Sequence, residues 1–227
     1  RRLRPGDFLT TEEELQSRFG VSRATARRAL EELVDEGLVT RITGKGTYVS
    51  RPKIQVTLPT LLSFTEEIRR LGMQPGSRVL SVTVEPAPEG AAAHLDLEEG
   101  ESVLRVERVR YADGDPIVYL VDFLPPWLGL GPADDFGGSL YELLESRGIL
   151  IDEAVHTIEA GLADASVAGH LGVEPGFPIV RFRRTTYDPQ GRPIVYEEAS
   201  CRGDRYTYTV RLKRARGGAS HLDQLGG

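Results

Sequence analysis

The chain has 227 residues, of which 40% are hydrophobic and 27% are charged, an ordinary composition for a globular protein with room for two modest domains. No apolar run approaches the roughly 18 residues of a membrane span, and the single cysteine, Cys201, excludes an internal disulfide. We therefore expect a cytoplasmic protein with no membrane partner, whose thiol is structural rather than reactive.

The net charge of −6 hides an asymmetry along the chain. Residues 1–53 carry 11 Lys and Arg against 8 Asp and Glu, a net of +3, whereas the rest carries 17 against 26, a net of −9. An acidic domain that lies beyond a Debye length of about 8 Å does not cancel a local basic face. The basic segment is therefore compatible with binding to nucleic acid.

Two short helices are predicted in the first forty residues. Thr11 and Glu14 have the spacing of a capping box, and Gly20 ends the first helix. Ser22 is a suitable N-cap for a second helix, which Gly37 ends. Such a pair is typical of a helix-turn-helix, in which the start of the second helix enters the major groove of DNA. Taken alone, the pair leaves a generic helical pair as the less favoured alternative.

A β-hairpin is predicted directly after the second helix. Strand-like residues at 38–42 and 47–49 flank the Thr-Gly-Lys-Gly sequence of residues 43–46. Glycines allow the backbone to approach a phosphate closely, and the lysine supplies positive charge, as in the wing of a DNA-binding domain. The second predicted helix is rich in arginine, with Arg23, Arg27 and Arg28. The order of a capped helix, this arginine-rich helix and the hairpin favours a winged helix-turn-helix over the generic pair.

Four stretches of this segment follow a known family pattern. They are Thr11-Glu12-x-Glu14-Leu15, Gly20-Val21-Ser22-Arg23, Ala29-Leu30-x-x-Leu33-x-x-x-Gly37-Leu38 and Gly44-x-Gly46-Thr47-x-Val49. In them the chain resembles the GntR family of transcription regulators. The resemblance implies a set of operator contacts: Thr11, Ser22, Arg23, Ala24, Thr25, Arg27, Thr43, Gly44 and Lys45.

Two departures from that pattern affect the expectation. Glu13 replaces an arginine that touches DNA in many relatives, which puts that contact in doubt. The chain begins at Arg1-Arg2-Leu3, where relatives carry a further helix, so the first helix of the domain is expected to be missing from this sequence.

The second half of the chain contains an internal repeat with an offset of 76 or 77 residues. Matching pairs include His94 and His170, Arg108 and Arg184, and Gly-x-Pro-Ile-Val-Tyr at 114–119 and 191–196. Each copy predicts a short helix followed by a β-hairpin, and two copies favour an α+β domain with pseudo-twofold symmetry. Recurring turn chemistry is the alternative, which so many matches in register disfavour. The two histidines are then structural residues of helices rather than metal ligands.

Further elements complete the predicted organisation. Strands are expected at 78–85, 155–162 and 205–212, and helices at 62–71 and 139–147. The predicted order is a DNA-binding domain at 1–50, a linker at 51–59, an effector-binding domain at 60–214 and a disordered tail at 215–227.

The second half also carries family-like stretches. They are Ser63-Phe64-Thr65-Glu66-Glu67, Arg108-x-Arg110-x-Ala112-Asp113-Gly114-x-Pro116, Ser139-Leu140-Tyr141 and Arg202-Gly203-Asp204-Arg205-Tyr206. Together with the first half they resemble the HutC subfamily of GntR regulators. The resemblance implies an α+β fold: an N-terminal winged helix-turn-helix, then a chorismate-lyase-like domain with a central antiparallel sheet and flanking helices.

The same stretches contain the chemistry of an anion site. Residues 62–65 precede a helix, whose N–H groups favour anions, and Arg108 and Arg110 are two apart on a strand and so share a face. Two guanidinium groups can bind a phosphate or carboxylate together. Surface salt bridges on a half-exposed sheet are the alternative for these arginines.

The family resemblance adds roles for individual positions. In phosphosugar-binding relatives, the positions of Ser63, Phe64, Arg108, Ser139 and Tyr141 bind the phosphate, and that of Arg110 helps to bind the rest of the ligand. Leu120 and Val195 stand where those relatives tend to have glutamates that bind sugar hydroxyls, and Glu197 shares a strand face with Val195. The predicted effector-binding set is Ser63, Phe64, Thr65, Arg108, Arg110, Leu120, Ser139, Tyr141, Val195 and Glu197.

These features predict a transcription regulator, favoured to be a repressor, without cofactor or metal. Its partners would be double-stranded operator DNA, a small anionic effector and a second copy of itself, because one helix-turn-helix reads only a few base pairs. Whether the effector releases or recruits the protein is left open. A lyase-like enzyme is one alternative, for which the sequence shows no nucleophile–base pair or metal-ligand spacing. An architectural nucleic-acid binder is another, which leaves the second domain unexplained.

Overall fold

The computed structural model describes residue 3 and residues 5–42, 44–50, 53–58, 60–98 and 100–212. It divides into two compact units, Arg1–Lys53 and Ile54–Gly227. Thr43 of the predicted wing, residues 51, 52 and 59 of the predicted linker, and the whole predicted tail lie outside the described residues.

The first unit contains the predicted helix pair and hairpin. Its elements are β1 (Phe8–Thr10), α1 (Glu12–Phe19), α2 (Arg23–Asp35), β2 (Val39–Ile42) and β3 (Gly46–Val49), and the strands form an antiparallel sheet in the order β1-β3-β2. A capping box between Thr11 and Glu14 starts α1, and Gly20 ends it in the left-handed conformation. Gly46 is required by close packing as well as by its φ of 111°, since a Cβ there would lie 2.7 Å from the Phe8 ring.

The second unit is built on a six-stranded antiparallel sheet. Its elements are β4 (Ile54–Leu58), α3 (Phe64–Arg70), β5 (Pro75–Pro86), α4 (Glu89–His94), β6 (Ser102–Ala112), β7 (Asp115–Leu124), a 3-10 turn (Pro126–Leu128), α5 (Leu140–Ser146), β8 (Glu153–Leu162), α6 (Ala165–Leu171), β9 (Pro178–Tyr187), β10 (Pro193–Arg202) and β11 (Tyr206–Val210). The strand order is β5-β6-β7-β10-β9-β8, and β4 and β11 form a separate parallel pair.

This order confirms the predicted repeat. The segments β5-α4-β6-β7 and β8-α6-β9-β10 have the same succession of elements, and they meet where β7 pairs with β10. The ring of His94 stacks on Tyr196 at 4.4 Å between centroids, and that of His170 stacks on Tyr119 at 4.7 Å. The helix histidine of each repeat therefore packs on a strand tyrosine of the other repeat.

The two faces of the sheet are covered by different elements. On one face α4 and α6 pack their buried apolar side chains against the strands. On the other face lie α3, α5 and the β4–β11 pair, whose buried residues form two core clusters with the sheet. Because side chains alternate along a strand, Arg108 and Arg110 share this second face with Leu120 and Glu197.

Residues 54–58 differ from the expectation of a linker. They form strand β4, which pairs with β11 in parallel register from Tyr206↔Ile54 onwards, and Ile54 and Val56 are buried in the core. Prolines at 52 and 59 suggested a loop, but the apolar residues at alternate positions between them find a partner strand far along the chain.

Two further expectations concern single features. Cys201 is fully buried in the core, and burial raises the pKa of its thiol well above the usual value, so the thiol stays protonated, as expected of a structural cysteine. In the described residues no helix is both long and apolar enough to cross a bilayer.

Candidate functional site

The N-terminal end of α2 is exposed and carries most of the predicted DNA contacts. Ser22 caps the helix by accepting a hydrogen bond from the Thr25 N–H at 3.2 Å. Arg23, Ala24, Thr25 and Arg27 are all exposed in the first turns of the helix. This arrangement leaves two guanidinium groups on a free helix end, where they could reach base edges.

The first of these arginines, Arg23, forms an ion pair with an acidic side chain. Glu12 at the start of α1 accepts a hydrogen bond from Arg23 Nε at 3.2 Å, and Arg41 of β2 donates to the same carboxylate. The Arg23 and Arg41 guanidiniums keep the pKa of Glu12 below its usual value. Arg27 instead pairs with Glu31 one turn further along α2, at 2.9 Å.

The other predicted DNA-binding residues have separate positions. Gly44 and Lys45 are exposed at the hairpin tip, where the Lys45 N–H donates to the Ile42 carbonyl. The Thr11 hydroxyl accepts a hydrogen bond from the Glu14 N–H as the cap of α1, so its first role is structural. Thr43 falls outside the described residues.

In the second unit, the start of α3 is held by its own capping box. The Ser63 hydroxyl donates to Glu66 Oε2 at 2.7 Å and accepts from the Glu66 N–H at 3.2 Å. Thr65, in the first turn, is buried and accepts a hydrogen bond from Arg110 Nη2 at 2.6 Å. The predicted turn and the predicted arginine therefore meet directly.

Arg108 and Arg110 are both buried, which contradicts the alternative of surface salt bridges. Arg108 pairs with the buried Asp122 at 2.6 Å and donates to the Phe136 carbonyl at 3.2 Å. Arg110 donates to the Gly138 carbonyl at 2.7 Å and to Thr65, and it lies 4.9 Å from the centre of the Phe64 ring.

The charge of Arg110 is not matched by an acid. Among the described residues no carboxylate forms an ion pair with it. Burial, and next the nearby Arg108 cation, lower the pKa of Arg110 to about 10, because both disfavour the charged guanidinium. The site therefore contains a buried cation that an incoming anion would stabilise.

A second arginine–carboxylate pair lies beside the first. Arg184 of β9 pairs with Glu197 of β10 at 2.9 Å, and its guanidinium lies 5.6 Å from the centre of the Tyr141 ring. Glu197 is the register partner of Asp122 across β7 and β10. Burial raises the pKa of Asp122 to about 6; Arg108 opposes this rise and Glu197 adds to it. With Arg110, three guanidiniums face two carboxyl groups, so the net charge of the site is positive.

All ten residues of the predicted effector-binding set line one small cavity, of about 30 Å³. Its remaining lining residues are Asp122, Leu140, Arg184 and Thr186. The internal repeat indicated Arg184, which matches Arg108. No sequence pattern indicated that Asp122 would be buried in the site. A larger cavity of about 250 Å³ adjoins this one.

Both units of the chain match known families. Residues 70–207 match the UTRA domain, and residues 1–49 match the gntR family of bacterial regulatory proteins. The HTH-type transcriptional repressor NagR of Bacillus subtilis (strain 168) is 36% identical over 214 residues, which cover 93% of this chain and 88% of NagR.

A second relative is known in sequence and in structure. The HTH-type transcriptional repressor PhnF of Mycolicibacterium smegmatis is 35% identical over 210 residues, 92% of this chain and 85% of PhnF. The crystal structure of PhnF from Mycobacterium smegmatis superposes with a TM-score of 0.71 at 34% identity, and covers 94% of this chain and 95% of that one.

The relatives are transcription regulators, which contradicts the alternative of a lyase-like enzyme. The combination of a gntR-type DNA-binding unit with a UTRA effector domain is that of the HutC type. The chain belongs to the GntR family of bacterial regulatory proteins, as a ligand-responsive transcriptional repressor with a UTRA effector domain.

Proposed function

We propose that the protein is a cytoplasmic homodimer that binds an inverted-repeat operator, and that a small anionic metabolite bound beside Arg110 controls its affinity for DNA. One observation carries the effector part of this proposal. Arg110 is a buried cation without an acidic partner among the described residues, and hydroxyls and a second guanidinium lie next to it. Such a set of donors suits an anion better than a neutral ligand.

The contacts of the arginines also suggest how binding changes the protein. The carbonyl oxygens of Phe136 and Gly138 occupy donors of both arginines. A cavity of about 30 Å³ holds little more than one water molecule. An anion would therefore replace these carbonyl contacts and displace the segment that leads to Ser139 and α5. Effector binding would then select a different conformation, and so shift the population that binds DNA.

Arg110 is also the better residue to test. The family resemblance places Arg108 at the phosphate, but Arg108 is already neutralised by Asp122. Removing Arg108 would leave that carboxylate buried and unpaired, a large loss of stability in itself. Arg110→Met removes a buried charge that has no acidic partner, so we expect the variant to fold.

The test measures binding of inorganic phosphate by calorimetry. We expect phosphate to bind the unaltered protein, and Arg110→Met to lose this binding while it still binds DNA. Arg78→Met, an exposed arginine on β5, is the matched control and should bind phosphate normally. Unchanged phosphate binding by the Arg110 variant would place the anion elsewhere.

The DNA part of the proposal is tested by selection from a pool of random duplexes. The enriched sequences should be inverted repeats, since a dimer presents two recognition helices. On the enriched site, Arg23→Ala should lose roughly 1–3 kcal/mol of binding free energy, and much less on random DNA. Arg28→Ala, an exposed arginine of the same helix, is the control. Equal losses on both DNAs would make Arg23 a phosphate contact.

The homodimer is tested separately, by sedimentation at micromolar concentration with and without the selected DNA. A dimer in both conditions supports the proposal. A monomer in both conditions contradicts it, because a single helix-turn-helix would then have to provide all of the specificity.

A further inference from the structure

A second cavity adjoins the anion site on the same face of the six-stranded sheet. Its volume is about 250 Å³, somewhat below the roughly 300 Å³ at which ligand pockets for drug-sized molecules begin. Phe64, Leu120, Arg184 and Glu197 line both cavities. Because the two cavities share these walls, one small ligand can extend from the first into the second.

The walls of this larger cavity are mainly apolar. Val118, Leu120 and Phe182 form the part on the sheet, and Val56 and Leu62 lie among the residues that cover it. A ligand with many hydroxyl groups would leave several of them without a hydrogen-bond partner against these walls, which is unfavourable.

The arginine of this wall is already paired with an acid. Arg184 pairs with Glu197 at 2.9 Å, and Tyr206 lies close enough to Glu67 to lower the pKa of that carboxyl. Because this arginine is paired and the sheet side of the cavity is apolar, the cavity favours a guest with an apolar body.

His156 of β8 contributes a buried polar atom to the wall. Its ring packs edge-on against Phe182 at 4.6 Å between centroids, and its Nε2 is buried without a hydrogen-bond partner in the described part of the chain. Burial, and next the Arg184 cation, lower the pKa of His156 to about 4, so that the imidazole is neutral at pH 7. A neutral ring with an unused nitrogen offers one hydrogen-bonding position to a guest.

We infer that the effector is an amphipathic anion, with a phosphate or carboxylate head beside Arg110 and a compact apolar or aromatic body, carrying few polar groups, in the larger cavity. This inference rests on the proposed function and adds the chemical class of the ligand to it. A polyhydroxylated sugar phosphate, with the same head and a polar body, is the class that it excludes.

Three probes separate the head from the body: inorganic phosphate, glucose 6-phosphate and phenyl phosphate. Calorimetric titration of the full chain should give phenyl phosphate an affinity at least about ten-fold higher than that of the other two, since only its ring is buried favourably among apolar walls. If glucose 6-phosphate binds as tightly as phenyl phosphate, or if neither improves on phosphate, the inference is wrong while the anion site stands. If none of the three binds, the proposed function itself is wrong.

A pair of variants locates the body. Ala154 on β8 lines the larger cavity but not the smaller one, so Ala154→Phe should fill part of the space for the ring and reduce phenyl phosphate affinity about ten-fold, with phosphate affinity unchanged. Ala160→Phe places the same bulk at an exposed position of the same strand and should have no effect. If Ala154→Phe retains full phenyl phosphate affinity, the body does not lie in this cavity and the inference is overturned.

Discussion

The two halves of the six-stranded sheet have the same order of strands and helices, but they differ in the residues that line the two cavities. Arg108 of β6 and Arg184 of β9 are repeat equivalents, and both line the small cavity. Two residues further on, the first half has Arg110 and the second half has Thr186. The extra arginine makes the first half cationic, so the anion would bind mainly to one half of a nearly symmetric frame.

The acids that balance the two equivalent arginines come from non-equivalent positions. Asp122 of β7 corresponds to Ala199 in the second half, and Glu197 of β10 corresponds to Leu120 in the first. The two carboxyl groups nevertheless meet, because β7 and β10 pair at the centre of the sheet. The repeat thus supplies strands, turns and two arginines, whereas the positions at which the two halves differ supply the charge pattern.

The largest expected effect comes from breaking the two ion pairs separately. Asp122→Ala should lower the free energy of unfolding by about 3–5 kcal/mol, because it leaves the Arg108 cation buried without its acid. Glu197→Ala should cost less, since the Arg184 side chain keeps 15% of its surface exposed against 3% for Arg108. Urea unfolding of both variants measures the difference.

Glu159→Ala is the control for this comparison. Glu159 forms an exposed pair with Arg183 at 3.0 Å on the outer strands, and exposed pairs contribute about 0–1 kcal/mol. Equal losses for Asp122→Ala and Glu197→Ala would show that the two halves are balanced in energy despite their different residues.

The next effect concerns Glu67 of α3, a helix that lies outside the repeat. Burial raises the pKa of Glu67 to about 7; Arg184, Arg70 and the Tyr206 hydroxyl oppose the rise, and Glu197 adds to it. Between its usual pKa of 4.5 and about 7 the folded protein holds this proton more tightly than the unfolded chain does. The stability that Glu67 contributes is therefore greatest below pH 4.5, and it is lost as the pH rises through 7.

Glu67→Gln should for this reason stabilise the protein at pH 8, by roughly 1–2 kcal/mol after allowance for partial exposure, and not at pH 4.5. The pKa of His156 shifts in the opposite direction, downwards. Because His156 is present in the unaltered protein and in the variant, its contribution cancels when their free energies of unfolding are compared. Glu145→Gln, at an exposed position of α5, should change stability equally at both pH values. A pH-independent effect of Glu67→Gln would mean that folding does not raise the pKa of this carboxyl.

The hairpins of the second unit were predictable because the sequence patterns that indicate them are local. Gly-x-Pro-Ile-Val-Tyr marks the turn and outgoing strand of each hairpin, and its recurrence indicated a symmetric sheet before any strand order was known. Strand β4 was missed because its partner β11 lies far along the chain, and because the prolines at 52 and 59 outweighed the alternating apolar residues between them.

The residues of the candidate site were predictable only in part. Ser63 and Arg110 belong to recognisable stretches, and the structure brings them to one cavity. Asp122 lies between two apolar residues of a strand, and its burial follows only from the pairing of β7 with β10 and from the cover of α5. The carbonyl oxygens of the 136–138 segment carry no side-chain signal at all, although they take the donors of both arginines.

The smallest expected effect tests the symmetry itself. His94 and His170 make equivalent stacks with Tyr196 and Tyr119, so His94→Ala and His170→Ala should each lower the free energy of unfolding by about 0.5–1.5 kcal/mol. A weak contact of 3.4 Å between His94 Nδ1 and the Thr185 hydroxyl has no counterpart at His170 among the described residues, and it should make the His94 loss slightly larger.

Thermal unfolding of the two variants measures these losses, and replacement by Phe, which retains a stacked ring, should restore most of each. The two losses should agree within about 0.5 kcal/mol, which is at the low end of the contribution expected from one stacked pair, because the two stacks have similar geometry. If one substitution is neutral and the other costs more than about 1.5 kcal/mol, the repeats are equivalent in shape alone. One stack would then stabilise the fold, whereas the other would match it in geometry without contributing to stability.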